Sequence, residues 1–157
     1  MNPYFHQDMD PFSITGGVIT FLGFSGACAK RLRKLIHDTK HAPDEILAIS
    51  NEISDLNIVL SDLEAASRTI ENASAVAQSS LPEPDFGHAV TDQLAKARLK
   101  LHQLDSLLSE LYITLPNGRN KFQRLSWIRK KGLATVLQRD LVNIRRTLGL
   151  LLASKSA

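Results

Sequence analysis

A chain of 157 residues with a formal net charge of +3 and one cysteine is long enough to bury a core of its own. It fits one domain and excludes an internal disulfide framework. Leucine is abundant and aromatics make up only 6% of residues, a composition that suits helices better than a sheet. The charge is segregated. Residues 30–40 hold five bases and one acid, residues 44–71 seven acids and one base, and residues 119–157 ten bases and one acid. Such blocks can pair between helices of a bundle. Unpaired, the basic ones favour an anionic lipid surface or acidic partners. No recognition motif for nucleic acid accompanies them.

Residues 1–9 are polar and read as a flexible N-terminal extension. Asp10 followed by Pro11 reads as an N-cap with proline at the first helical position. The run from 11 to 29, PFSITGGVITFLGFSGACA, carries no charge and leads into the cluster Lys30, Arg31, Arg33 and Lys34. As a helix it would be ~28 Å long, close to the hydrocarbon thickness of a bilayer. Its four glycines and its serines and threonines keep it from being a clean span. Projected at 100° per residue, Ile14, Val18, Phe21, Leu32 and Ile36 fall on one side. Gly16, Thr20, Gly23 and Ala27 fall on the other, and this small-residue stripe continues into Lys30 and Lys34. Phe12, Ile19 and Phe24 lie on or beside the small face. Either the helix packs in a bundle with these three covered by a neighbour, or it is a membrane-active element held against the bundle. A signal peptide is disfavoured, because residues 1–10 contain Asp8 and Asp10 and no Lys or Arg.

The first helix is expected to run from about Pro11 to between Asp38 and His41, since Pro43 disfavours helical geometry in Ala42. Asp44 and Glu45 open a second helix that reaches about Ala77. Its apolar positions Ile46, Ile49, Ile53, Leu56, Leu60 and Leu63 step by three and four, a heptad seam, and Glu52 is expected on its solvated face. Residues 78–87 read as a loop with two prolines and a glycine. A third helix carries Val90, Leu94, Ala97, Leu101, Leu104, Leu108, Leu111 and Leu115, and Pro116, Asn117 and Gly118 stop it. The stretch KFQRLSWIRKKG reads as a short helix ending near Gly132, followed by a last helix with Leu133, Leu137, Leu141, Ile144, Leu148 and Leu151. No strand signal of useful length appears. The expected fold is all-α, an antiparallel four- to five-helix bundle over residues 10–153 with a long hydrophobic N-terminal helix and a tail at 154–157. Leu56 and Leu104 belong to its core.

Enzyme motifs are missing. Gly16 and Gly17 precede a hydrophobic run and lack the Lys-Ser or Lys-Thr of a phosphate-binding loop. Cys28 lies within the apolar segment and reads as a packed thiol. His37 and His41 share a spacing of four, but only Asp38 and Asp44 lie near, so capping of the helix C-terminus is the default and no metal site is expected. Trp127 sits among Arg124, Arg129 and Lys130, which suggests cation–π packing at a corner of the bundle. The carboxylates of the second helix form no acid/base pair. No catalytic residue and no cofactor site is expected.

The start Met9-Asp10-Pro11-Phe12-Ser13-Ile14-Thr15, with the glycine-rich apolar run behind it, resembles the opening of the HeLo-like domains. So does the stretch Arg124-Leu125-Ser126-Trp127-Ile128-Arg129-Lys130-Lys131 leading into a leucine-spaced helix. These are N-terminal domains of fungal STAND-type immune receptors and cell-death effectors, related to the HeLo domain of the HET-S toxin and to the four-helix bundle of the mixed-lineage kinase domain-like pseudokinase. The resemblance runs over about residues 9–153. The opening Met of the family is usually its first residue, so residues 1–8 are a departure. The resemblance implies a cytoplasmic, non-enzymatic bundle that oligomerises on a trigger from a STAND or amyloid-signalling partner. It then relocates to the plasma membrane and permeabilises it in programmed cell death. On that reading Phe12, Ile14, Val18, Ile19, Phe21, Leu22 and Phe24 insert. Gly16, Thr20, Gly23 and Ala27 let inserted helices approach one another. Lys30, Arg31, Arg33 and Lys34 contact anionic phospholipids. The alternative is a soluble interaction or self-association module of a signalling protein that never touches lipid.

Overall fold

The heptad seams of the sequence become the interior of a four-helix bundle. The computed structural model describes residues 13–77 and 84–156. The Asp10-Pro11 cap, Phe12, the extension at 1–9 and residues 78–83 of the expected loop lie outside them. Helix α1 (Ser13–Asp38) is followed by α2 (Asp44–Ala77), α3 (Pro84–Leu111), a hairpin of β1 (Tyr112–Thr114) and β2 (Asn120–Phe122), and α4 (Arg124–Ser156). All six expected seam residues of α2, Ile46 to Leu63, are wholly buried. They meet Val90, Ala97, Leu101, Leu104, Leu108 and Leu111 of α3 and Leu137, Leu141, Ile144 and Leu148 of α4.

Helix α1 packs on α2 and α3, and α4 packs on the same two helices from the other side. Side-chain pairs give the directions. Ile14 approaches Gly87 and Arg31 meets Asp105, so α1 and α3 run parallel. Lys100 pairs with Asp140 at 3.0 Å and Lys130 with Glu110 at 3.2 Å, so α3 and α4 run antiparallel. The short connection at 39–43 folds α2 back along α1. Each helix therefore runs opposite to the one before it.

Beyond the start of α3 at Pro84, inside the expected loop, and the run of α4 through the expected tail to Ser156, three features depart from the sequence reading. The third helix ends at Leu111, and Leu115 belongs to a hairpin turn instead of a helical seam. The Leu115 carbonyl accepts from the Gly118 N–H at 2.9 Å, and the Asn117 side-chain oxygen accepts from the Arg119 N–H at 3.0 Å. Pro116 at the second turn position and Gly118 at φ 81° make a turn that the twist of a hairpin accepts. The residues read as a helix stop thus reverse the chain within a two-stranded ladder. Tyr112 pairs with Phe122 across it, rings 5.3 Å apart, and Phe122 lies 6.1 Å from Trp127. Trp127 therefore has an aromatic ring neighbour, where the sequence suggested a cation.

The second departure is that Gly132 ends no helix. Residues 124–156 form one helix with Gly132 on its exposed side and Ala134 and Leu137 buried just beyond it. A glycine inside a helix costs about 1 kcal/mol relative to alanine, and continuous burial on the inner face outweighs that. Leu133, expected in the seam, is exposed.

The third departure is Glu52, expected in solvent but 7% exposed and bonded to Arg145 of α4. The bond to Glu52 is the main cause that raises the Arg145 guanidinium above its ordinary pKa. Removing one partner of a buried pair strands the other, so Arg145→Leu is expected to cost about 3–5 kcal/mol. That is the range expected for Leu56→Ala or Leu104→Ala, about 2–5 kcal/mol each. Urea melts check this. A loss under about 1 kcal/mol for Arg145→Leu would mean the pair carries no weight.

Candidate functional site

Helix α1 has no charged residue before Lys30 and two neighbours to bury it. Its inner face follows the three-four spacing through Val18, Phe21, Ser25, Ala29, Leu32 and Leu35, all buried. The wholly buried Ser25 donates from its hydroxyl to the Asn57 side-chain oxygen of α2, which satisfies a polar group inside an apolar seam. On the α3 side the Phe24 ring lies 4.9 Å from the His102 ring, with the Arg98 guanidinium 5.7 Å above it. Arg31 pairs with Asp105 and donates to the Ser109 hydroxyl at 3.2 Å. At the far end the Asn120 side chain donates to Asp38 at 2.8 Å, tying α1 to the hairpin.

The seven residues expected to insert do not form one surface. Val18 and Phe21 are in the core, Ile14, Leu22 and Phe24 are half-buried, Ile19 is exposed, and Phe12 lies outside the described residues. Lipid reaches Val18 and Phe21 only if α1 leaves the bundle. The stripe is different. Gly16, Thr20, Gly23 and Ala27 are all exposed, and Gly17 joins them. The Thr20 hydroxyl donates to the Gly16 carbonyl at 2.9 Å, so the one polar side chain of the stripe is satisfied within the helix. Of the cations, Lys30, Arg33 and Lys34 project into solvent with no salt bridge among the described residues, whereas Arg31 is held by α3.

Among the described residues, a Cβ at Gly16, Gly17, Gly23 or Gly26 would meet nothing within 4 Å. Packing among these residues therefore gives no reason for the glycines, although each weakens the helix by about 1 kcal/mol. Gly87 is the contrast, since a Cβ there would lie 3.0 Å from Ile14. Burial pushes the Cys28 thiol above its usual pKa, with Arg31 opposing, which makes it a poor nucleophile. Burial likewise raises the Tyr112 phenol, with Thr39 beside it acting in the opposite direction.

The polar ties of α1 leave little trace in the sequence. Ser25 interrupts the apolar seam of α1, which is the only local signal of its pairing with Asn57. His102 and Arg98 carry no signal of their contact with Phe24. Among the described residues no helix is long and apolar enough to cross a membrane, and no three His, Cys, Asp or Glu side chains converge as metal ligands.

No family model, no curated protein and no solved structure matches the chain. The open space around the α1 glycines makes a direct prediction. Gly16→Ala and Gly23→Ala should each stabilise the folded chain by up to about 1 kcal/mol in a thermal or urea melt. Destabilisation by either would mean that the outer face of α1 is covered within the chain.

Proposed function

We propose that the chain is a non-enzymatic bundle that docks on anionic membranes through the outer face of α1. The observation that carries this reading is that face itself. It is uncharged and exposed at Gly16, Gly17, Ile19, Thr20, Gly23 and Ala27, a Cβ on its glycines would meet nothing within 4 Å among the described residues, and it ends in Lys30, Arg33 and Lys34. An amphipathic helix with cations at one end lies in the headgroup boundary, held by buried apolar area and by attraction to anionic lipid. Each cation near the surface is worth about 1 kcal/mol. Among the described residues no helix is long and apolar enough to cross a bilayer, and the docking proposed here needs only the interface.

Docking in the folded state is shallow, because Ile19 is the one large apolar side chain exposed among residues 13–29. Deeper engagement needs Val18 and Phe21, and these come free when the Ser25–Asn57, Phe24–His102 and Arg31–Asp105 contacts part. The small stripe then lets α1 helices approach closely in lipid, a route to permeabilisation. The resemblance of residues 9–15 and 124–131 to HeLo-like domains supports placing this activity in fungal programmed cell death, with movement from the cytoplasm to the plasma membrane on a signal from a STAND or amyloid partner.

Vesicle binding and leakage test the proposal. Binding should require anionic lipid, and Lys30→Gln with Arg33→Gln and Lys34→Gln should weaken it by about 3 kcal/mol, on the order of a hundredfold. Raising salt should weaken the unmodified chain in the same direction. Binding that ignores both changes would remove α1 from the contact.

A further inference from the structure

Among the described residues the most exposed large apolar side chains lie away from α1, on the outer faces of α2 and α4, two faces that carry charges of opposite sign. On α4, Leu125 is 75% exposed, Ile128 73% and Leu150 72%. At 100° per residue they share an arc with Arg139 and Arg146, opposite the buried Leu141. The acid of this helix, Asp140, is half-buried against Lys100. On α2, Ile58 is 63% exposed between Asp55 and Asp62, both exposed, and the base of this helix, Arg68, is paired with Glu64 at 2.9 Å.

We propose that the outer face of α4 in one molecule docks on the outer face of α2 in a second copy. Charge complementarity selects this occupant. Within the bundle, Glu45 pairs with Lys131 and Glu52 with Arg145, whose charge the exposed Asp55 also supports, and the exposed Arg139 touches Asp140 at 3.7 Å. Asp62 and Arg146 remain outside, with no salt bridge among the described residues. Asp55 and Asp62 are seven residues apart, as are Arg139 and Arg146, so both pairs repeat at about 10.5 Å along their helices. An anionic membrane would account for the α4 face alone, and it would repel the acidic α2 face that carries Ile58. A second copy covers both exposed apolar faces in one interface. The two faces differ, so the interface is heterologous: each added copy presents a fresh α2 or α4 face, and assembly grows to a ring or a filament. This association needs no lipid and does not rest on the role proposed for α1.

A charge swap on the full chain tests it, read by sedimentation velocity in lipid-free buffer of low ionic strength. The unmodified chain should associate with rising concentration, and less so at high salt. Arg139→Glu with Arg146→Glu should sediment as a monomer, and so should Asp55→Arg with Asp62→Arg. Mixed in equal amounts, the two variants should assemble again, because each supplies the face the other lacks; that recovery also shows that both are folded. Monomeric unmodified chain, association by either variant alone, or a mixture that stays monomeric overturns the proposal. So does an Arg139/Arg146 variant that assembles normally and loses only its binding to anionic vesicles. An uncharged pair gives an independent reading: Ile58→Ser and Leu150→Ser, the latter one turn from Arg146, should each weaken assembly by at least about tenfold. Unchanged assembly in both overturns the interface as drawn.

Discussion

A helix with no charge before Lys30 has to be reconciled with a bundle that buries only one side of it. Helix α1 touches α2 and α3 and has α4 across the diagonal. Its inner side therefore carries the bulk, Val18, Phe21, Leu32 and Leu35, and its outer side is mostly small, Gly16, Thr20, Gly23 and Ala27, with Ile19 the one large apolar side chain left exposed. Small residues leave little apolar area in water, which keeps the uncharged side tolerable without a single ionic group. The cost is helix propensity at four glycines, offset by the contacts of the inner face. Ser25–Asn57 and Arg31–Asp105 then fix which side turns inward, since a rotated helix would strand a buried hydroxyl and break an ion pair.

The charge blocks of the sequence resolve in two ways. Some are internal to the bundle, as between Glu52 and Arg145 or Lys100 and Asp140. Others remain on outer faces, acidic on α2 and basic on α4 and at the end of α1. Burial of a charged pair is weak evidence for stability, but it specifies which helices are neighbours and in which register. Glu52 and Arg145 place α2 beside α4 with their remaining charges turned outward, where their signs are complementary between copies.

The sequence made the core of α2 and α3 legible because one periodic signal governs many residues. Ile46 to Leu63 and Val90 to Leu111 keep one face inward without exception for Leu, Ile or Val at the expected steps, apart from a half-buried Leu94. Features set by a distant partner were not legible. Glu52 looks solvated until Arg145 arrives from 93 residues away. The hairpin was hidden because strands of three residues carry no usable alternation, and because Pro116-Asn117-Gly118 stops a helix as readily as it turns a strand. Gly132 looked like a terminus because a glycine's local cost is visible in sequence, whereas the burial of Ala134 and Leu137 that outweighs it belongs to the fold. For the candidate site, periodicity separated the large face of α1 from the small one. It did not show that Val18 and Phe21 are sealed in the core while Ile19 is open.

The central claim, that the outer face of α1 is the surface that meets the membrane, is tested most directly by local labelling. In a chain with Cys28→Ala, an environment-sensitive fluorophore is attached at Thr20→Cys and, in a separate sample, at Gln103→Cys on the exposed side of α3. Anionic vesicles should shift the Thr20 label to the blue and leave the Gln103 label unchanged. Equal spectra with and without vesicles at Thr20, or a shift at Gln103 instead, would contradict the claim.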